Sequence, residues 1–147
     1  MHSALTRLMS ESTAINEIKI IEKMILLVRG QRVIINADLA ALYEVKTKVF
    51  NQAIKRNQDR FPTDFMFRLT SEEKQQLVTN CDRFEKLKYS SSLPYAFTEH
   101  GTIMAASVLN SSKAIQVSIY VVKTFVRMRQ LLATNRQLAD KLAMMEL

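Results

Sequence analysis

Four polar side chains between residues 48 and 55 have the types and the spacing to bind the edges of nucleic-acid bases. Lys48, Asn51, Gln52 and Lys55 stand at offsets of zero, three, four and seven, so on a helix they project from one face. Asn and Gln can form two hydrogen bonds with an adenine edge, and Lys can donate to guanine acceptors or to phosphate oxygens. The pattern therefore predicts a helical surface that binds the major groove of duplex DNA.

Basic residues are concentrated around this stripe. Between residues 46 and 60 the chain carries five cations and one acid, a surplus of four within a formal net charge of +7. Cations beside a base-reading face suit phosphate oxygens, which supply the sequence-independent part of DNA affinity. The predicted DNA-binding residues are Lys46, Thr47, Lys48, Asn51, Gln52, Lys55, Arg56 and Arg60. An ordinary amphipathic helix with a solvated basic face would show the same pattern, and the sequence leaves that alternative open.

Two short helices are expected to position these side chains. Apolar residues at spacings of three and four predict a helix over 47–57 that buries Phe50, Ala53 and Ile54 and is capped by Thr47. The residues before it predict a shorter helix with one apolar side, and a turn separates the two. The pair matches the plan of a helix-turn-helix, in which the first helix braces the second against DNA.

Strands should support this helical pair. Residues 24–35 read as two β-rich runs joined at a turn, where Gly30 can supply a positive φ. Alternating apolar residues after Pro62 predict a third strand ending near Leu69, which we expect to pair with the hairpin.

Three further helices are indicated downstream. Thr70 and Glu73 fit a capping box that starts a polar helix, followed by a loop over 80–93. Thr98 can cap another helix, and from Lys113 onward no breaker interrupts the chain. The predicted fold class is therefore α+β: a β-hairpin and a third strand support the helix-turn-helix-like pair, with a long C-terminal helix.

Five blocks of the sequence carry a family pattern. They are LVRG (27–30), DLAALYEVKTK (38–48), NQAIKRN (51–57), RFPTDFMFRLT (60–70) and PYAFTEHG (94–101). In this order the blocks resemble the ORF-six-N domain, a KilA-N-like family of phage and bacterial proteins. The resemblance implies a DNA-binding role, often combined with other modules in phage regulators, and does not by itself imply catalysis.

The resemblance also suggests the domain organisation. It covers residues 20–129, for which we predict one KilA-N-like DNA-binding domain. Residues 1–19 are then an N-terminal extension, and residues 130–147 are a C-terminal helical tail.

The tail carries a pattern of its own. Apolar residues alternate there by three and four, which is the spacing of a coiled-coil seam, and Asn135 at a core position could set the register of a parallel homodimer. Packing of the same stripe on the domain itself or on a neighbouring module remains an open alternative. The seam residues are Met128, Leu131, Asn135, Leu138, Leu142 and Met145.

Catalytic and metal chemistry are not indicated. Glu99 and His100 are adjacent, so on a helix they point in different directions, and Cys81 has no Cys or His at metal-ligand spacing. We expect no enzymatic activity, no metal, no cofactor and no small-molecule substrate. A single Cys and the lack of any long apolar run lead us to expect a cytoplasmic protein that does not enter membranes.

Two functions remain after these exclusions. The first is a phage-type regulator that binds duplex DNA and affects transcription. The second is an antirepressor-like module that binds another protein through its C-terminal helix, and it predicts partner binding that is insensitive to salt.

Overall fold

The computed structural model describes the backbone of residues 4–146 and the side chains of residues 13–136. Two 3₁₀ segments, Gln58–Arg60 and Asp82–Tyr89, lie among the longer elements. Within the described backbone, no helix combines the length and the apolar character needed to cross a bilayer. The longer elements are, in chain order, α1 (Ala4–Met24), β1 (Leu26–Val28), β2 (Gln31–Ile35), α2 (Asn36–Leu42), α3 (Thr47–Arg56), β3 (Met66–Arg68), α4 (Ser71–Asn80), β4 (Tyr95–Phe97), α5 (Glu99–Leu109) and α6 (Ser112–Glu146).

The strands form one antiparallel sheet in the order β1-β2-β4-β3. The predicted hairpin is confirmed, because β1 pairs with β2 through a two-residue turn at Arg29 and Gly30. Both turn residues have positive φ, 54° and 74°, which is the conformation of the type I′ turn that suits the twist of a hairpin. The α+β class is confirmed, with the helical pair on the sheet and α6 at the end of the chain.

The predicted partner of the third strand is wrong. β3 pairs with β4 and not with the hairpin, and β4 lies between them: Phe97 is opposite Met66 on one side and Ile34 on the other. The sequence analysis assigned no element to residues 95–97. The apolar alternation around β3 continues from Phe65 to Leu69, whereas β4 stands between Pro94 and the helix cap Thr98. β4 is therefore defined by its two neighbours and not by its own sequence.

The main core lies between the sheet and five helices, α1, α2, α3, α5 and α6. Phe97 of β4 is at its centre, and the rings of Phe50 and Phe61 meet it edge to face at 5.5 and 5.9 Å between centroids. Tyr43 at the end of α2 is buried and donates its hydroxyl to the Thr102 backbone carbonyl, 2.8 Å away. Burial raises the pKa of Tyr43, so the phenol stays protonated as a donor.

The opposite face of the sheet is covered by α4 and the second 3₁₀ segment. Leu77 and Phe84 pack there against Val33 and Leu69. The capping box predicted at the start of α4 is confirmed, because Glu73 N–H donates to the Thr70 hydroxyl and Thr70 N–H donates to the Glu73 carboxylate. The segment expected to be a loop contains the 3₁₀ turns of Asp82–Tyr89.

The start of α5 lies close to the turn before β3. Thr98 caps the helix as predicted, and its hydroxyl donates to the Asp64 carbonyl at 2.7 Å. A Cβ on Gly101 would lie 1.9 Å from the carbonyl oxygen of Phe65, so only glycine fits there. The two residues therefore join α5 to the segment that leads into the sheet.

Helices α1 and α6 pack against each other. Ile21 of α1 is buried in the main core together with Val121 of α6, and Glu22 forms an ion pair with Arg127 at 3.1 Å. The sequence analysis assigned no element to the N-terminal extension. Its proposed limit at residue 19 falls inside α1, and the proposed start of the tail at residue 130 falls inside α6.

Candidate nucleic-acid interface

Helix α3 is held by its buried side. Phe50 and Ile54 are buried as predicted, whereas Ala53 is only half-buried, and the ring of Phe50 packs on Phe97 of the central strand β4. The prediction that Thr47 caps the helix is wrong. The capping position is Lys46, which has extended backbone and makes no side-chain hydrogen bond to the helix, so Thr47 is the first helical residue.

All of the predicted DNA-binding side chains are exposed. They lie on α3, on the residue before it and on the 3₁₀ turn after it, so the structure brings them together along one side of the molecule. Within the described side chains, none of the five cations of this group forms an ion pair, although Asp59 is nearby in sequence. We call this group the α3 face: Lys46, Thr47, Lys48, Asn51, Gln52, Lys55, Arg56 and Arg60.

A chain of hydrogen bonds orients Asn51 on this face. The backbone N–H of Tyr95 in β4 donates to Asn36 Oδ1 at 3.3 Å, and Asn36 Nδ2 donates to Asn51 Oδ1 at 3.0 Å. Asn36 is 8% exposed, so its amide is shielded from water. The amide NH₂ of Asn51 is thus left to donate elsewhere, and its oxygen keeps a second lone pair.

A cleft of about 530 Å³ runs beside α3. Its walls come from the start of α2, from α3, from β3 and β4, and from the segment 87–94. Asn51 and Lys55 line it, whereas Lys48 and Gln52 do not, so the predicted stripe divides into a cleft side and an outer side. The charged residues of the lining are Lys55 and Arg68.

Two exposed residues beside the α3 face, Arg68 and Val49, were not predicted from the sequence. Arg68 was taken only as part of a strand, and the guanidinium carbon lies 5.3 Å from the ring centroid of Tyr95. The two residues are opposite each other in the β3–β4 register but 27 positions apart in the chain, so no local pattern connects them. Val49 is 50% exposed on α3, where an apolar side chain could contact a thymine methyl group.

The first residue of the predicted dimer seam packs on the domain itself. Met128 is half-buried and packs on the main core, which continues the buried stripe that includes Val121. Leu131 is 51% exposed and Asn135 is also exposed. The remaining seam residues lie outside the described side chains: Leu138, Leu142 and Met145.

The residues considered for catalysis have structural contacts. The Glu99 carboxylate accepts hydrogen bonds from the Arg129 guanidinium, and the His100 ring stacks on Phe65 at 5.6 Å. Cys81 is half-buried after α4. Within the described residues, no group of three or more His, Cys, Asp and Glu side chains could hold a metal ion.

Comparison with known proteins gives one family. A family model described as the ORF6N domain matches residues 23–108, which is more than half of the chain and runs from the end of α1 into α5. The matched part contains the sheet, α3 and the cleft. Neither the curated proteins nor the solved structures gave a match.

Proposed function

The chain belongs to the ORF6N family, which is associated with phages, and on that premise we propose that it is a regulatory protein that binds duplex DNA. The observation that carries the proposal is the α3 face. Five cations are exposed there without an ion pair among the described side chains, on a helix whose other side is buried. Such a surface suits a polyanion that supplies the missing negative charge.

The contacts of the α3 face divide into two kinds. α3 enters the major groove, which is about 12 Å wide and admits one helix. Asn51 and Gln52 contact base edges, with the amide of Asn51 oriented by Asn36. The side chains of Lys48 and Lys55 reach guanine acceptors or phosphates.

The remaining members of the face lie at the ends of α3. Lys46 and Thr47 at its start, and Arg56 and Arg60 at its end, hold the phosphates on either side of the groove. The protein acts by binding alone in this proposal, without a catalytic step, and regulates transcription in the cytoplasm.

The test is a fluorescence anisotropy titration of random duplex DNA at several salt concentrations. We compare the wild type with Lys48→Ala/Lys55→Ala, and with Lys113→Ala/Lys123→Ala as a control that removes two exposed lysines from α6. The α3 variant should bind at least about tenfold more weakly. In a plot of the logarithm of the binding constant against the logarithm of the salt concentration, the magnitude of its slope should be smaller by about two. The control should bind like the wild type.

Two results would contradict the proposal at different levels. Equal isotherms for the wild type and the α3 variant would remove the α3 face as the binding site. A wild type without salt-dependent binding to duplex DNA would remove the function itself.

A second candidate function is supported by the apolar residues that α6 exposes. Ile115, Ile119 and Leu131 are 47%, 53% and 51% exposed. Exposed apolar side chains on one helix favour contact with a protein partner, either in an antirepressor-like module or in a homodimer, over full exposure to solvent. If α6 forms a homodimer, sedimentation velocity should give a dimer mass for the full chain and a lower mass for Leu131→Lys. Equal monomer masses would exclude the homodimer.

A further inference from the structure

The cleft beside α3 contains positive charge and no negative charge. Its lining includes Lys55 from α3 and Arg68 from β3, and no Asp or Glu. The depression beside α4 differs, since its lining combines Lys74 and Lys88 with Asp82 and Glu85. The first cleft is therefore suited to an anion, and its charges come from two separate elements.

Arg68 is held in place without a carboxylate. Its guanidinium lies over the ring of Tyr95, and its backbone carbonyl accepts a hydrogen bond from the Arg29 guanidinium at 3.1 Å. Among the described residues, Arg68 forms no ion pair. Stacking on a ring limits the directions of the side chain and leaves the planar N–H donors available for two-point binding of a phosphate.

The segment 87–94 supplies hydroxyl groups to the cleft. Ser90 and Ser92 line it, and Lys74 Nζ donates to the backbone carbonyls of both residues, at 3.2 Å in the case of Ser92. Ser92 N–H donates to Ser90 Oγ at 3.2 Å, so the hydroxyl proton of Ser90 can donate to another acceptor. Phosphate oxygens are acceptors of that kind.

We propose that this cleft binds the sugar-phosphate backbone of one DNA strand, with Arg68 as a phosphate-binding residue outside the helix-turn-helix-like pair. The inference rests on the proposed function and extends it. A helix in the major groove has a phosphate backbone on each side. Because Asn51 and Lys55 of α3 also line the cleft, a strand read by α3 passes directly into it.

The test uses the full chain with Arg68→Gln and a matched control, Lys123→Gln. Lys123 is also an exposed cation over a tyrosine ring, 5.8 Å from the centroid of Tyr120, but it lies on α6, which does not line the cleft. Arg68→Gln should weaken binding to all duplex sequences alike, by about fivefold to tenfold, and lower the salt slope by about one. Arg68→Lys should restore the slope, and Lys123→Gln should match the wild type.

Three other outcomes would contradict the cleft proposal, and one of them would also contradict the proposed function. If Arg68→Gln has the salt slope of the wild type while Lys48→Ala/Lys55→Ala loses affinity, the cleft proposal is wrong and the proposed function stands. If the wild type shows no salt-dependent binding to DNA, both are wrong. If deoxyadenosine monophosphate binds the free protein at micromolar concentration and Arg68→Gln abolishes that binding, the cleft is a nucleotide site and not a backbone site.

Discussion

The α3 face and the edge where the hairpin meets α4 both expose basic side chains, but only one of them has carboxylate partners. Arg29 in the hairpin turn donates two hydrogen bonds to Glu73 of α4, each of 2.8 Å, and lies 4.5 Å from the ring centroid of Phe67. Lys48 and Lys55 have no such partner among the described residues. A cation paired within the protein joins elements, whereas an unpaired group of cations is available to an external anion.

The position of acids explains this difference. The N-terminal turn of α4 supplies Glu72 and Glu73 next to the hairpin. Carboxylates at this position also interact favourably with the positive end of the helix dipole. The first turn of α3 has no acid, and its last turn has Lys55 and Arg56. The helix therefore presents a positive outer surface, and water and salt keep the repulsion between these exposed charges small.

The largest expected effect concerns the support under the α3 face. Phe50→Ala removes a fully buried ring that meets Phe97, so we expect a loss of about 3–5 kcal/mol in the free energy of unfolding, measured by urea denaturation. Val49→Ala on the same helix is the control, because Val49 is half exposed. A loss for Phe50→Ala no larger than the loss for Val49→Ala would contradict the packing described here.

The second effect, smaller than the first, concerns the ion pair between Arg29 and Glu73 and the pH dependence of the stability that it provides. The hydrogen bonds from Arg29, assisted by those from Thr70 and opposed by partial burial, lower the pKa of Glu73 from 4.5 to about 2. Because the folded-state pKa is the lower one, the stabilisation is present above about pH 4.5 and is lost as the pH falls towards 2. Glu73→Gln should therefore be less stable than the wild type at pH 7, with the difference decreasing in that window.

Thermal unfolding between pH 2 and pH 7 measures this difference. Glu72→Gln is the matched control, since it removes a neighbouring exposed carboxylate from the same turn and should leave the pH profile unchanged. DNA binding at pH 7 should be the same for both variants. A constant difference between Glu73→Gln and the wild type across the range would show that the ion pair does not stabilise the fold.

The smallest expected effect is the change in the free energy of unfolding when lysines of the α3 face are removed. Lys48→Ala/Lys55→Ala should change the free energy of unfolding by no more than about 0.5 kcal/mol per site, because both side chains are exposed and form no ion pair with the residues that the structure describes. Urea denaturation measures this change. A loss of several kcal/mol would mean that these lysines are structural, and the comparison between the two regions would fail.

Local features were predicted correctly because their causes lie within a few residues. The capping box of Thr70 and Glu73 depends on a spacing of three, and the tight turn of the hairpin was indicated by Gly30, which has positive φ. The exposed side of α3 follows from helical periodicity around Phe50 and Ile54. The prediction that Thr47 caps α3 was wrong by one position. The residue before the helix is Lys46, which has extended backbone and caps the helix without a side-chain hydrogen bond, so the residue types did not mark the boundary.

The sequence by itself determined the helical periodicities, the hairpin, the charge of the α3 face and, through its motifs, the family. Only the tertiary structure decided which residues become neighbours: β4 between β2 and β3, Asn36 beside Asn51, and Arg68 over Tyr95. The physical reason is the range of the interactions. Helix and turn preferences act over three or four residues, whereas strand pairing and cleft formation join segments tens of residues apart, through contacts that no local spacing encodes.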